Sequence, residues 1–293
     1  MSNKTNPVTL LTSLVIAAFA QQAAADTWTL RATPSLMQGS YSGSQTRNKI
    51  SDTGITLATD YLEQGGVTVG YSNTRVDMKN APTTNQNNVL ASGRMNFWPD
   101  SLGGRLTARL DAHNITGNIN ALTAFAPQVS WLSTNNMLYA DIGYANSRYK
   151  NNGLRINQFT PTVGFGFNEG SDWLQLRSYL IRGLTPALAA NKSSTTSLDA
   201  NWTHFLAPGN ALKPASVTLG ISTGEKIYAV DMDAQSVANL ADLGKGSANL
   251  AAAWNINKNT KFFALLGQSR YTDVALNNNY KLNVLYGNLS VSW

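Results

Sequence analysis

The chain has 293 residues, a formal net charge of +6, no cysteine and two histidines. Without cysteine there is no disulfide framework and no thiolate metal site, and His113 and His204 alone leave little for a zinc centre. Charged residues are 13% of the chain against about 25% in ordinary soluble domains, yet mean hydropathy is −0.20, so neither a charge-coated globule nor a bundle of long apolar helices fits.

Met1 to Ala25 reads as a signal peptide. Lys4 lies in a short basic start, Val8 to Ala20 is apolar, and Ala23, Ala24 and Ala25 form a small-residue cleavage site. The mature chain is expected to run from Asp26 to Trp293. From there the dominant signal is period two. Ile55, Leu57, Thr59 and Tyr61 alternate with Thr56, Ala58 and Asp60; Val67, Val69 and Tyr71 alternate with Thr68, Gly70 and Ser72. Ala91, Gly93, Met95 and Phe97 oppose Ser92, Arg94 and Asn96, and Leu106 to His113 continues the pattern. Phe159 to Phe167, Leu198 to Thr203 and Ser216 to Ser222 repeat it. Such alternation puts apolar side chains on one sheet face and small or polar ones on the other. Strands of roughly 10 or more residues, apolar outside and polar inside, predict an all-β, antiparallel, up-and-down transmembrane β-barrel.

Short polar links are expected at Gln64-Gly65-Gly66, Pro99-Asp100-Ser101, Ser133-Thr134-Asn135-Asn136, Glu169-Gly170-Ser171-Asp172, Pro208-Gly209-Asn210 and Asn257-Lys258-Asn259. Between them fall generally longer ones: Asn80 to Asn88, Ile115 to Asn120, Thr185 to Ser194 and Glu225 to Lys245. Short periplasmic turns alternating with longer outer loops give about 14 strands (12–16), with both chain ends periplasmic. In the longest link, Val237, Leu240, Ala241 and Leu243 fall at helical spacing after Asp233, a potential N-cap, which predicts a short helix in an outer loop. Asp231, Asp233 and Leu240 then belong to either a gating loop or a passive one.

The last strand closes Leu285-Tyr286-Gly287-Asn288-Leu289-Ser290-Val291-Ser292-Trp293, with Leu289, Val291 and Trp293 on one face. This end resembles the C-terminal signal of bacterial outer-membrane barrels, with Trp in place of the commoner Phe. In size and strand number the chain is similar to the monomeric 14-stranded OmpG class of porins. The resemblance implies a Gram-negative outer membrane as location, lipid and lipopolysaccharide as surroundings, and the barrel-assembly machinery as a partner. It also implies a channel for ions and small hydrophilic solutes. A structural or polysaccharide-export barrel is the alternative, and a lipid-modifying enzyme is a third.

Enzyme chemistry finds little support. Lipid-cleaving barrels place a Ser two residues after the catalytic His, whereas Asn114-Ile115 follow His113 and Phe205-Leu206 follow His204. His113 reads as a solvated pore residue and His204, beside Trp202, as part of an interfacial belt. No cofactor or metal is expected. Arg and Lys are dispersed, so nucleic acid is not expected as a partner. The informative charges are those that alternation sends inward: Arg31, Asp60, Arg94, Arg109, Asp111, Asp141, Arg177 and Asp199. They either line a pore and set its ion preference or form cross-strand pairs that stiffen the wall.

Overall fold

The computed structural model describes residues 28–118, 120–185, 191–207, 209, 212–239 and 242–293. The expected signal peptide, Leu240 and the Pro208 and Asn210 of one expected turn lie outside the described residues. The first strands are β1 (Trp28–Ser42), β2 (Arg47–Tyr61), β3 (Gly65–Met78), β4 (Thr84–Phe97) and β5 (Gly104–Gly117). β6 (Leu122–Ser133), β7 (Leu138–Tyr149), β8 (Arg155–Phe167), β9 (Asp172–Arg182) and β10 (Ser194–Phe205) follow. Then come β11 (Ser216–Gly224), the two-residue strands β12 (Val230–Asp231) and β13 (Ser236–Val237), β14 (Asp242–Asn255), β15 (Thr260–Asp273) and β16 (Asn278–Ser292).

Fourteen of these close an antiparallel barrel in chain order, with β1 against β16 and β11 against β14; β12 and β13 form a separate hairpin. Main-chain bonds Leu30 N–H to Trp293 O (3.1 Å) and Trp293 N–H to Leu30 O (2.9 Å) seal the seam. Closure leaves no free edge, which is what a sheet in lipid requires. The links lie on two rims, one beside the chain termini and one opposite, called here the far rim.

The alternation is realised as predicted. Leu36, Val67, Val69, Leu110, Val129, Ile142, Val163, Ile221, Leu266 and Leu285 are all exposed on the outer face. Trp28, Tyr61, Phe97, Trp98, Phe165, Trp202 and Phe205 ring the rim beside the termini, and Tyr71, Phe125, Tyr144 and Phe159 lie toward the far rim. An apolar band between two aromatic girdles is the outer surface of a membrane barrel.

Several boundaries differ from expectation: β9 ends early, at Arg182, and the link between Phe205 of β10 and Ser216 of β11 exceeds the expected three residues, whereas other strands run longer. β3 begins at Gly65, β4 at Thr84, and β5 reaches Gly117. Pairs such as Thr74↔Gln86, Arg75↔Asn85 and Asn87↔Thr116 continue the ladder above the apolar band. Hydropathy goes silent there because both faces meet water, while the main-chain bonds do not.

The larger correction is the link after β11. Among the described residues the predicted helix does not form. Residues 225–239 fold inward, and a small hairpin pairs Val230 with Val237 and Asp231 with Ser236. Its tip is turned by the Asp231 carboxylate, which accepts hydrogen bonds from the N–H groups of Asp233 and Ala234, both at 3.0 Å. Val237 and Leu243 serve lumen packing instead. Ile227, Tyr228, Ala229, Val230, Met232 and Val237 are buried against Ile115, Leu122, Ala124, Ala126, Ala145, Tyr149, Ile156, Tyr179 and Ile181 of β5–β9. The expectation of a mostly small and polar lumen therefore fails on this wall. Gly143 shows how close the approach is: a Cβ there would collide with the Met232 thioether and lie 2.6 Å from Thr160 Oγ1.

Candidate functional site: the constricted lumen

All eight inward charges of the sequence reading sit on the inner face, and all eight are in ion pairs. On the β1–β4 side, Asp60 faces two arginines, Arg94 at 2.7 Å and Arg31 at 3.8 Å. Their side chains are 21, 41 and 46% exposed, so this cluster stands in water and carries one excess positive charge.

The β5–β10 side is different. Arg109 grips Asp111 within its own strand, with Nε at 3.1 Å from both carboxylate oxygens, and also donates to the main-chain oxygen of Met232 in the inserted segment. Asp111 also accepts from Ser92 Oγ at 2.5 Å. Arg177 is the centre of the contact. Its Nη1 lies 2.8 Å from Asp233 and 4.0 Å from Asp231, its Nη2 lies 3.5 Å from Asp141, and its Nε donates to Thr162 Oγ1 at 2.8 Å. Tyr139 donates to the same Asp141 at 2.7 Å. Asp199 holds Lys226 at 3.0 Å, and that ammonium also lies over the Tyr179 ring, 4.6 Å from its centre.

Sequence reasoning missed the groups that hold the segment by its backbone. Gln158 on β8 donates to Val230 O (2.6 Å) and accepts from Val230 N–H (2.9 Å), as an added strand would. Asn239 donates to Asn120 O (2.6 Å) and Gln86 Oε1 (3.1 Å). At the base, Lys226 and Gly244 exchange main-chain bonds of 3.1 and 2.8 Å, and Glu225 is clamped between Lys192 (2.7 Å) and Lys245. Burial pulls the Glu225 carboxyl up, but the hydrogen bonds and charges of the two lysines outweigh it and hold it below its usual range.

Between the segment and the opposite wall remains a cavity of about 230 Å³, bordered by Tyr41, Tyr271 and Tyr280 on one side and Tyr228 and Asn239 on the other. Arg47 donates to two of the residues that border it, to Asp242 (2.8 Å) and to the Tyr280 hydroxyl (2.6 Å). The two histidines compare differently with expectation: His113 departs from it and His204 does not. His113 is 2% exposed rather than solvated, with Nδ1 3.4 Å from Asn88 Oδ1. Among the described residues no serine hydroxyl hydrogen-bonds to its ring. His204 lies beside Trp202 on the outer face, and both rings contact the Asp172 carboxylate, at 3.0 and 2.9 Å. Among the described residues no three His, Asp or Glu side chains are placed to hold a metal.

No protein-family model matches the chain, and no curated protein matches it in sequence. Among solved structures, a bacterial polysaccharide outer membrane secretin superposes with a TM-score of 0.52 at 10% identity, over 92% of this chain and 99% of that one. The outer membrane protein Omp33 of Acinetobacter baumannii gives 0.47 at 8% identity, over 89% and 97%. An outer membrane channel from Pseudomonas putida F1 gives 0.47 at 10% identity, over 92% and 97%. At such identities the likeness is one of architecture, and the chain is a closed, 14-stranded, antiparallel β-barrel with an apolar outer band.

Proposed function

We propose that the protein is an outer-membrane channel that passes ions and small hydrophilic solutes around a constriction built from residues 225–239. The supporting observation is the contrast inside one barrel: a solvated Arg31–Asp60–Arg94 cluster on one wall and an inserted segment clasped to the other. The inward charges act as pore lining where they are wet and as anchors for the segment where they are buried. The excess positive charge of the wet cluster gives a modest preference for anions. In this reading the termini rim is periplasmic, and Leu289, Val291 and Trp293 form the outward edge that the assembly machinery engages. Purified, refolded protein in planar bilayers should give discrete conductance steps; their absence at every tested voltage would contradict the reading.

A second reading, a structural or export-associated barrel, is favoured by the same inserted segment, since a filled lumen suits a barrel that works through partners. It expects little intrinsic conductance, so the same recording separates the two.

A further inference from the structure

The lumen pairs the eight inward charges named above, but the outer face toward the far rim holds cations that it does not use. Just above the apolar band, hydrogen-bonded amide pairs recur across neighbouring strands. Asn146 on β7 donates to Asn157 on β8 at 2.8 Å, and Gln268 on β15 donates to Asn283 on β16 at 2.7 Å. Tyr144, itself exposed to the band, donates to the same Asn157 at 2.7 Å. These pairs mark the level at which the lipid-facing surface turns from apolar to polar.

Directly above each amide pair the strands oppose two cations. Arg148 of β7 faces Arg155 of β8, and Arg270 of β15 faces Lys281 of β16. Residues so opposed have Cα atoms about 4.5–5.5 Å apart, and like charges in that position repel. On the first wall a third arginine joins them. Arg182 of β9 is registered against Asn157, two residues from Arg155, a diagonal step of about 7–8 Å. All three arginines are exposed, and among the described residues no carboxylate lies within 4.0 Å of any of them. Among the described residues the one side-chain partner in the group is Asn146 Oδ1, which accepts from Arg148 Nε at 3.2 Å.

A sheet that sets three guanidinium groups side by side without a counter-charge, at the height of the headgroups, is built to have an anion supplied from the membrane. We propose that Arg148, Arg155 and Arg182 form a binding site for the phosphate groups of a phosphorylated glycolipid in the outer leaflet. Guanidinium forks match phosphate oxygens in a bidentate way, and the apolar surface below, with Tyr144 and Phe159, accommodates the acyl chains. The proposal rests on the outer-membrane placement given above, but not on conduction through the lumen.

The test uses the full mature barrel in phosphatidylcholine vesicles, with a heat-modifiable gel shift to register folding. Vesicles are doped with bisphosphorylated lipid A, with the same lipid stripped of its phosphates, or with phosphatidylglycerol, and co-purifying lipid is quantified by mass spectrometry. The wild type should retain the bisphosphorylated lipid at least tenfold over either alternative. The combined variant Arg148→Gln, Arg155→Gln, Arg182→Gln should lose that preference while folding normally, and the corresponding triple Lys variant should keep part of it. Equal retention of the phosphate-free lipid or of phosphatidylglycerol by the wild type would overturn the proposal, with no variant needed. Undiminished retention by a folded triple Gln variant would overturn it as well. A barrel that never inserts would instead count against the outer-membrane placement.

Discussion

Two walls of one lumen carry the same residue types and put them to opposite use. On β1–β4, Arg31, Asp60 and Arg94 stand in water with side chains 46, 21 and 41% exposed. On β7–β9, Arg177 and Asp141 are 7 and 1% exposed, because residues 225–239 lie over them. An exposed pair gains little from Coulomb attraction and holds little together. A buried one penalises the loss of either partner, since the survivor is left charged and unsolvated. Burial, and not the pairing itself, decides which arginines are anchors.

The sharpest way to break this contrast is Arg177→Met. It strands Asp141 in the wall and releases Asp231 and Asp233 together, and by analogy with other broken buried pairs it should cost about 3–5 kcal/mol in urea unfolding from lipid. Arg94→Gln, which breaks a pair at 2.7 Å, should cost under about 1 kcal/mol in the same assay. Equal costs would erase the distinction between the walls. Gln158→Leu comes next: it removes both bonds to the Val230 backbone, at about 1–3 kcal/mol for each buried group left without a partner. It should also make single-channel current noisier.

How much of this was legible in the sequence depends on the wall. The strands were, because lipid enforces apolar residues at every second position, and the inward charges were placed by the same rule. The inserted segment was not, and its spacing of Val237, Leu240 and Leu243 imitated a helix. A usable signal lay elsewhere. In β6, Leu122, Ala124 and Ala126 point inward while Phe125 and Val129 face lipid, so the strand is apolar on both faces. In a barrel wall that pattern means that something apolar fills the inside. Which segment does so was not readable, because the bonds that seat it, Gln158 to the Val230 main chain and Asn239 to Asn120 O and Gln86, run through main-chain and amide groups that leave no pattern.

Two milder perturbations sharpen the comparison. The double variant Arg31→Gln, Arg94→Gln should leave stability within about 1 kcal/mol of wild type. It should move the reversal potential in a KCl gradient from slight anion preference toward cation preference, and an unmoved potential would remove these residues from the ion path. The smallest effect is expected from pH. Lys192 and Lys245 hold the Glu225 carboxyl below its usual value of 4.5, so the clamp contributes fully above that value and is lost as pH falls through the depressed one. Current noise should therefore rise only under acid conditions, and Glu225→Gln should show that noise at neutral pH. Partial exposure of all three side chains keeps the change small.

The central claim is that one inserted segment sets the open width of the lumen. Replacing residues 227–239 with a short Gly-Ser linker leaves all 14 wall strands in place and tests it directly by single-channel recording. A severalfold rise in conductance from a barrel that still shows the heat-modifiable gel shift is the predicted result. A folded barrel with unchanged conductance would contradict the account.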